Sequence, residues 1–552
     1  MRLFSNERRI EAAIIILFLA CMLFTRLGQQ MDYRINHDYP ESFKANDNFF
    51  HSMIPEEIKE SGGYAYLPTH ITAGYEDVVA YLPPFLYHAS AMFSSLTSVE
   101  TYDCTFIIAM VLFCSGCLLF YFVIKKTDKD LALLSLPFMI GIFSFTFEIA
   151  FEWGLWLLIT GMVYLVAVVW SMAEMGQKYS FMLFGVFLSA LAIAHFSEMI
   201  FLIGFIVFYY VLLFFKNSKM TKIEFKKVLA GLAIFFILSF YYIIIAYSTY
   251  AQVDTLVFTN VEVPNFAPNY GVNFNSFGFN QLLLFVGIVI FFGMIFYEKE
   301  IKNVLPEIKL PSIAFIFGIF MLVVGFTNYL GFNRAFQTRI LWPVYLSVFM
   351  GMCIYFSIGF LKKWRYHLAV IISLILIVFF ASTYIGKVSS GGMITKGVWD
   401  GFTWLGENTE TNSKVLHFYN PTISQDLSLF STKRVPYKID IEDYVNSLRN
   451  QVIKNDYSAH LVYFPDMKLP YRKTLFSYGF HAYEEDFKKM EILSMWDMNY
   501  YFIKFNGSDP EPNLIIYNAY VAQYLINHTW IQPVYGNGEV VILKNNEPGR
   551  KP

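Results

Sequence analysis

Residues 46–87 read NDNFFHSMIPEEIKESGGYAYLPTHITAGYEDVVAYLPPFLY and form the longest polar interruption between the predicted membrane spans. The stretch comes after the first span. It carries Asp47 at its start, continues through two phenylalanines to His51, and ends in Tyr81-Leu82-Pro83-Pro84 and the residues that follow. A loop that only connects two helices needs few residues. A long loop that is rich in aromatic and acidic residues predicts part of an active site, facing water on one side of a membrane.

Composition places most of the chain in a membrane. Of the 552 residues, 56% are hydrophobic and 15% are charged, whereas soluble domains average about 25% charged residues. The net charge of −2 gives no reason to expect a nucleic-acid partner. The 5 cysteines lie in or beside apolar runs, so no disulfide framework is predicted for the polar C-terminal part.

Apolar runs predict the membrane spans. A span needs about 20 mainly apolar residues, and about eleven runs qualify when somewhat shorter ones are included. They are roughly Ile10–Phe24, Phe106–Ile124, Leu131–Phe147, Trp153–Trp170, Ser180–Ala194, Met199–Phe215, Val228–Tyr247, Leu282–Tyr297, Ile313–Phe326, Leu341–Leu361 and His367–Tyr384.

Lysine and arginine residues alternate between the loops. One set of loops is basic, for example around Arg8, Lys125 and Lys363, whereas the loop 248–280 contains neither residue. Short basic loops stay in the cytoplasm. The pattern predicts an integral, multi-pass membrane protein with a cytoplasmic N-terminus. The loop 28–103 and everything beyond the last span are then extracytoplasmic.

Composition shifts near Ser389. Beyond it, strand-like runs alternate with helix-like ones such as Ile441–Ile453, and Gly536-Asn537-Gly538 is a hairpin signal. The strand-like runs are Lys414–Tyr419, Ala459–Phe464, Tyr500–Phe505 and Glu539–Leu543. The predicted fold class is a polytopic α-helical membrane domain, residues 1–388, followed by an extracytoplasmic mixed α/β domain, residues 389–552.

Asp47 has two interpretations. An aspartate before a helix-like run caps that helix by accepting hydrogen bonds from its free N–H groups. The second interpretation comes from the surrounding residues, Asp47-Asn48-Phe49-Phe50-His51, then Gly62-Gly63, then Tyr81-Leu82-Pro83-Pro84-Phe85. This order resembles the first outer loop of the GT-C superfamily of membrane glycosyltransferases.

The resemblance implies roles for the first loop. In that family an aspartate of the loop is the catalytic base or a metal ligand, which gives Asp47 that role and places His51 beside it. Tyr81 would contact substrate. Asp32 and Asp38 lie nearer the exit of the first span and are rivals for the role of Asp47.

Two acids lie at the second outer loop. Glu148 and Glu152 are four residues apart, so on a helix they share a face. Acids at membrane depth are costly and often functional, although the pair also fits two carboxylates that simply reach outer water. GT-C enzymes carry a D-x-D-like pair at this place. The resemblance implies that Glu148 and Glu152 orient the acceptor or, with Asp47, hold a divalent cation such as Mg²⁺ or Mn²⁺.

Later outer turns supply further candidates. His195 and Glu198 form either a polar turn between two spans or hydrogen-bonding partners for a sugar. Arg334 and Arg339 stand in an outer turn, against the positive-inside trend, and bind either lipid headgroups or the lipid phosphate of a donor. The family commonly has such an arginine, and Arg339 is the first choice.

Glu262 gives a weaker signal. Thr259-Asn260-Val261-Glu262 faintly resembles the T-x-x-E element of oligosaccharyltransferase catalytic subunits, which implies substrate binding by Glu262. The W-W-D-Y-G element of those enzymes has no counterpart in the chain. That absence argues against transfer of a whole glycan to protein.

The resemblance implies an enzyme that transfers a sugar from a polyprenyl- or dolichyl-phosphate-linked donor to a glycan, lipid or protein acceptor outside the cytoplasm. Two alternatives remain open: an oligosaccharyltransferase-like enzyme that moves a whole glycan, and a transporter or flippase of lipid-linked sugars. Transporters place polar groups at mid-membrane in broken helices, whereas the charges here gather in outer loops.

Overall fold

The structure is a computed structural model, and it describes residues 6–32, 34–64, 66–71, 80, 82–140, 150–216, 222–250, 279–296, 312–327, 333–361, 363–382, 392–420, 431–462, 473–474, 477–478, 489–507 and 512–552. Contacts divide the chain into two units. The helical unit comprises Met1–Arg34, Pro83–Ala89 and Thr105–Ser389. The sheet unit comprises Ile35–Leu82, Ser90–Cys104 and Ser390–Pro552. The division into a membrane domain, residues 1–388, and an extracytoplasmic domain, residues 389–552, stays a prediction.

Within the described residues, α-helices occur in both units. In order they are α1 Asn6–Gln30, α2 Asn46–Ser61, α3 Phe85–Thr97, α4 Thr101–Lys125, α5 Lys129–Ser135, α6 Trp156–Ala173, α7 Ser180–Ala194, α8 Phe196–Lys216, α9 Lys222–Tyr250, α10 Phe279–Phe296, α11 Ile313–Phe326, α12 Trp342–Tyr345, α13 Ser347–Gly359, α14 Arg365–Ser382, α15 Lys396–Asn408, α16 Ile441–Arg449 and α17 Pro512–Ile526. Short 3₁₀ helices cover Leu136–Ile140, Asn333–Leu341 and Met495–Asp497.

Apolar helices dominate the helical unit. Within the described residues, six helical segments are long and apolar enough to cross a membrane, and they are Thr101–Lys125, Trp156–Ala173, Ser197–Phe215, Glu224–Ile244, Ala335–Gly359 and Arg365–Ser382. Three shorter apolar helices are Ser180–Ala194, Leu282–Phe296 and Ile313–Phe326. These findings support an integral membrane protein, while the number of about eleven spans stays a prediction.

Two glycines allow α7 and α9 to pack closely. A Cβ atom added to Gly185 would lie 2.5 Å from the carbonyl oxygen of Gly231, and one added to Gly231 would lie 2.5 Å from Cδ1 of Phe184. Membrane helices associate through such close approach, because lipid gives apolar side chains no reason to leave it. Alanine at either glycine would force the helices apart.

Paired charges gather where the start of α1 meets the end of α4. The buried carboxylate of Glu11 accepts a hydrogen bond of 2.8 Å from Tyr121 and contacts the ammonium group of Lys125. Lys129 pairs with Glu7 at 3.1 Å. These contacts bring the predicted first and second basic segments to the same end of the helices. The side of the membrane on which this end lies stays a prediction.

A second network joins the starts of α5 and α14. Asp128 caps α5 by accepting from the N–H groups of Asp130 and Leu131, at 2.8 and 3.0 Å. Arg365 donates to Asp130 over 2.9 Å, and Tyr355 donates to Asp128 over 3.0 Å. Asp128 thus accepts from three donors and Asp130 from the guanidinium group of Arg365, so each buried carboxylate has a compensating partner.

The sheet unit contains a seven-stranded sheet among the described residues, in the order β6-β3-β2-β1-β7-β9-β8. Its strands are β1 Lys414–His417, β2 Val435–Ile439, β3 Ser458–Leu461, β6 Ile492–Ser494, β7 Tyr500–Lys504, β8 Ile531–Gly536 and β9 Val540–Asn545. The strands β4 Lys473–Thr474 and β5 Ser477–Tyr478 form a separate pair. The central strands β2, β1 and β7 are parallel, and the outer ones are antiparallel.

Helices cover both faces of this sheet. Phe402 of α15 stacks on Phe502 of β7, with ring centroids 4.8 Å apart. The adjacent Tyr501 turns to the opposite face and lies 6.3 Å from Phe418, which packs near Tyr444 of α16. The mixed α/β architecture is therefore confirmed, as is the hairpin at Gly536-Asn537-Gly538, which joins β8 to β9.

Residues of the predicted first outer loop belong to the same unit as the sheet. The N–H of Gly392 donates to the carbonyl of Glu41 over 2.5 Å, and the N–H of Met393 donates to Phe43 over 2.7 Å. The ammonium group of Lys433 pairs with Glu60 of α2 at 2.7 Å. The loop is thus anchored to the C-terminal residues by backbone hydrogen bonds as well as by charge.

Candidate active site

Asp47 lies in the first turn of α2, one residue after its start. The N-cap position belongs to Ala45, whose N–H donates to the side chain of Asn48 over 3.1 Å. The aspartate is therefore not the N-cap itself, but it lies where free N–H groups and the helix dipole stabilise a negative charge.

His51 follows Asp47 by one helical turn, so the two side chains project from the same face of α2. His51 is buried and its ring lies 5.5 Å from that of Phe50. The helix ends as the sequence predicted: Gly62 adopts φ 79° and its N–H donates to Ile58 over 2.8 Å. A left-handed residue at this place favours glycine.

His195 and Glu198 meet in the helical unit. His195 separates α7 from α8 in an extended conformation, and its Nδ1 contacts the carboxylate of the buried Glu198 directly. Gly161 of α6 leaves room for them, because a Cβ atom there would lie 2.7 Å from Cβ of His195. The structure brings the two side chains into contact, and the hydrogen bonding of either one to a sugar stays a prediction.

Arg339 is buried in the 3₁₀ helix before α12. Its Nε donates to the carbonyl of Gly325, near the end of α11, over 2.5 Å. The guanidinium carbon lies 5.4 Å from the ring of Phe326 and 6.0 Å from that of Trp342. These contacts fix the orientation of the side chain and desolvate its charge, which strengthens its attraction for an anion.

Other predicted residues lie partly or wholly outside the described part of the chain. Glu148, Tyr81 and Glu262 are outside it, and Arg334 is described by its backbone alone. Glu152 is described and half-buried. The proximity of Asp47, in the sheet unit, to Arg339, in the helical unit, stays a prediction.

The predicted metal site also stays a prediction. Among the described residues, no group of three or more histidine, cysteine, aspartate or glutamate side chains is arranged to hold a metal ion. Glu148, one of the three predicted ligands, lies outside those residues.

A buried histidine–aspartate pair was not predicted from the sequence. The N–H of His37 donates to Asp103 over 2.7 Å, and its ring Nδ1 lies 3.0 Å from the same carboxylate oxygen. Tyr102 donates its hydroxyl to the carbonyl of His37. Sixty-six residues separate the two partners, so no local pattern in the sequence could have indicated the pair.

An acid-rich cleft opens within the sheet unit. It has a volume of about 670 Å³, and α2, the residues before α4, and α15 supply most of its walls. The carboxylates that line it are Asp38, Glu56, Glu57, Glu60, Glu100, Asp400 and Glu407. Helical spacing explains part of this set, because residues four or seven apart share a face of a helix. We call this feature the acidic cleft.

The cleft has two basic residues at one side, and both are engaged. Arg434 donates to Thr409 Oγ1 over 2.7 Å, to the carbonyls of Lys433 and Thr409 over 2.7 and 2.6 Å, and to that of Gly406 over 2.6 Å. Lys433 pairs with Glu60. Two lysines outside the lining, Lys59 and Lys396, pair with Glu56 at 3.7 Å and with Asp400 at 2.8 Å. Glu57, Glu100, Asp38 and Glu407 have no such lysine or arginine pair among the described residues.

Burial and crowding change the protonation of groups in the cleft. Desolvation, followed by repulsion from Glu60, raises the pKa of Glu57. Desolvation and the nearby Glu56 likewise raise the pKa of Glu100. Burial lowers the pKa of His70 to about 3, so that imidazole is neutral at pH 7. The cleft is thus lined by more acids than bases, and burial disfavours the ionised forms of Glu57 and Glu100.

No protein-family model matches the chain, and no curated protein matches its sequence. Solved structures match its fold. The Archaeoglobus fulgidus oligosaccharyltransferase has a TM-score of 0.52 and 11% identity, over 79% of this chain and 65% of that one. The arabinofuranosyltransferase AftD from Mycobacteria has a TM-score of 0.55 and 10% identity, over 99% of this chain and 40% of that one. Both are membrane glycosyltransferases of the GT-C superfamily.

The protein has the GT-C fold.

A third match is ArnT from Cupriavidus metallidurans bound to undecaprenyl phosphate, with a TM-score of 0.49, 10% identity and coverage of 97% of each chain. The chain spans about two thirds of the length of the oligosaccharyltransferase and less than half that of AftD. At these identities the shared feature is the GT-C fold itself, and function has to be argued from the residues.

Proposed function

We propose that the protein is a membrane glycosyltransferase that moves a sugar from a polyprenyl-phosphate-linked donor to an acceptor on the extracytoplasmic side. The observation that carries the proposal is the GT-C fold with a carboxylate, Asp47, in the first turn of α2, the helix that follows α1. The oligosaccharyltransferase AglB of Archaeoglobus fulgidus has been solved with a dolichol-phosphate. That complex supports a lipid-linked donor for a protein of the same fold.

In the proposed reaction the acceptor hydroxyl attacks the anomeric carbon of the donor sugar. A new C–O bond forms, the bond between that carbon and the phosphate oxygen breaks, and polyprenyl phosphate leaves with the electron pair. Asp47 takes the proton of the hydroxyl as a general base. Because the first turn of α2 stabilises the ionised carboxylate, Asp47 is charged before the acceptor arrives.

Arg339 is proposed to stabilise the phosphate of the leaving group. Charge develops there in the transition state, and a fixed guanidinium in a dry environment stabilises it strongly. The contacts of Arg339 with Gly325, Phe326 and Trp342 support such a fixed position. Glu152 and the His195–Glu198 pair are proposed to orient the reacting sugars.

The test replaces Asp47 by Asn, which keeps the size of the side chain and removes the base. The lipid-linked sugar that copurifies with the protein is first identified by mass spectrometry and then supplied as the donor. We expect the transfer rate of the Asp47→Asn variant to fall at least about 100-fold. Asp32→Asn serves as the matched control and should retain activity. Full activity of Asp47→Asn would remove this residue from the mechanism.

Transfer of a whole glycan to protein is the second candidate, favoured by the match to an oligosaccharyltransferase. The two reactions differ in the donor. A purified protein that carries a lipid-linked oligosaccharide and glycosylates a peptide would establish en bloc transfer, whereas a copurifying lipid monosaccharide would support the first proposal.

A further inference from the structure

The roles proposed for Asp47 and Arg339 do not account for the acidic side chains of the acidic cleft. Asp47 is not among the residues that line it. Its volume of about 670 Å³ falls within the range of small-molecule pockets, which is about 300–1,000 Å³. All of its lining residues belong to the sheet unit.

The charge of the cleft selects against anions. Seven carboxylates line it, against the two bases Lys433 and Arg434, and both bases already have oxygen partners. A phosphate or a sugar acid placed here would meet like charges in a partly desolvated space, which is costly. A hydroxyl or an ammonium group would find acceptors on several sides.

Aromatic side chains give the cleft a flat apolar wall. Trp399 of α15 is half-buried and lines the cleft, and its ring is held edge-on by Tyr102 at 5.9 Å. Phe43 lies 6.4 Å from the same tyrosine. The faces of sugar rings are apolar and their edges are polar, so an aromatic wall beside carboxylates suits a glycan. A bound cation would also be attracted to the face of the tryptophan.

One buried polar atom in the wall of the cleft lacks a partner. The Oγ atom of Ser431 has no hydrogen-bond partner among the described residues. His70, also in the lining, is 2% exposed, and its Nε2 lies 3.0 Å from the Sδ of Met53. Buried polar groups are normally hydrogen-bonded, and a ligand with a hydroxyl group would satisfy Ser431.

We propose that the acidic cleft binds the acceptor as an uncharged or amino-bearing oligosaccharide and excludes acidic glycans. Trp399 stacks on one sugar ring, while Glu57 and Glu100 accept hydrogen bonds from its hydroxyl or ammonium groups. Ser431 completes the hydrogen bonding at the wall of the cleft. That the bound oligosaccharide is the acceptor of the reaction rests on the proposed function. That the cleft binds an oligosaccharide does not depend on it.

The experiment measures binding by titration calorimetry on the full chain in detergent, without any donor. Three tetrasaccharides of matched length are the probes: tetra-N-acetylchitotetraose, which is neutral, chitotetraose, which carries amino groups, and tetragalacturonate, which is acidic. We expect the first two to bind and the acidic probe to bind at least tenfold more weakly. Equal or tighter binding of the acidic probe, or no binding of any probe, would overturn the proposal.

Two kinds of variant locate the site. Trp399→Ala should weaken the neutral and amino probes about tenfold. The double variant Glu57→Gln and Glu100→Gln should weaken the amino probe several-fold and leave the neutral one unchanged. Glu442→Gln removes an exposed acid of α16, outside the cleft, and is the matched control. Unfolding temperatures establish that each variant is folded. Binding unchanged in both cleft variants would overturn the assignment, as would tight binding of Ca²⁺ to Glu57 and Glu100 in place of sugars.

The outcome is separable from that of the proposed function. Asp47→Asn should abolish transfer and keep glycan binding, because Asp47 does not line the cleft. Glycan binding by a protein that transfers no sugar would support the cleft and contradict the enzyme. Transfer to a neutral glycan that remains undiminished in Trp399→Ala would support the enzyme and contradict the cleft.

Discussion

The helical unit and the sheet unit treat buried charge in opposite ways. At the network of Asp128, Asp130 and Arg365, each carboxylate has a cation, a hydroxyl or backbone N–H groups as partners. In the acidic cleft, carboxylates outnumber bases, and the pKa of Glu57 is raised because burial and its neighbours disfavour its charge. Compensated charge indicates a structural role. Surplus charge of one sign in a cavity costs stability and indicates a ligand.

The largest expected effect tests the network of Asp128, Asp130 and Arg365, in which the buried carboxylates are compensated. Replacing Arg365 by Met removes the cation from two buried carboxylates, and breaking a buried pair in this way costs about 3–5 kcal/mol. We expect a marked fall in the unfolding temperature of the protein in detergent. Lys363→Met removes an exposed cation from the same segment and is the matched control. Equal stability of the two variants would mean that the network is not structural.

An intermediate effect concerns two buried histidines of the sheet unit. Burial lowers the pKa of His70 and of His417 to about 3. The unfolded chain takes up these protons near pH 6.5, so between pH 6.5 and 3 the unfolded state binds more protons and stability falls as the pH falls. At pH 4.5 each histidine should cost on the order of 2–3 kcal/mol of stability.

His417→Phe isolates that effect. Both ring nitrogens of His417 lack a hydrogen-bond partner in the described part of the chain, and its ring lies 6.2 Å from that of Phe402 and 5.2 Å from that of Phe502. The variant should therefore unfold at a higher temperature than the wild type, with the difference growing as the pH falls from 6.5 to 4.5. His460→Gln, at a more exposed site, should show no such growth. A constant difference across this range would contradict the buried, neutral state of His417.

The smallest expected effect tests the acidic cleft, in which carboxylates outnumber bases. The raised pKa of Glu57 means that its ionised form destabilises the folded protein at pH 7. Glu57→Gln should therefore leave stability unchanged or increase it, by less than about 1 kcal/mol after allowance for solvent screening. Asp128→Asn, which removes the carboxylate that caps α5 and accepts from Tyr355, should be destabilising by comparison. A loss of stability in Glu57→Gln would show that the acids of the cleft are structural.

Local patterns predicted much of the architecture. The strand-like runs at Lys414–Tyr419 and Tyr500–Phe505, the hairpin after Gly536 and the helix that ends at Gly62 are all present. Each depends on residues close in sequence, whose periodicity or turn chemistry is legible without a structure. The contact of His195 with Glu198 was accessible for the same reason, since three residues separate them.

Features that depend on distant residues could not be predicted. The sequence shows Glu56, Glu57 and Glu60 as an ordinary acidic helix surface, and it shows Asp400 and Glu407 as another more than three hundred residues later. Only the pairing of residues 41–43 with 392–393 brings them to one cleft. The pair of His37 and Asp103 is hidden in the same way.

The sequence by itself determined that this is an integral membrane protein with apolar helices and an α/β domain after them, and it predicted an acid-bearing first outer loop. Hydrophobic length, charge alternation and strand periodicity are properties of short segments, and they persist in any fold the segments adopt. The tertiary structure alone decided which charges are compensated and which are left in surplus. That distinction depends on the distance between side chains far apart in the chain and on their removal from water, and neither quantity exists until the chain has folded.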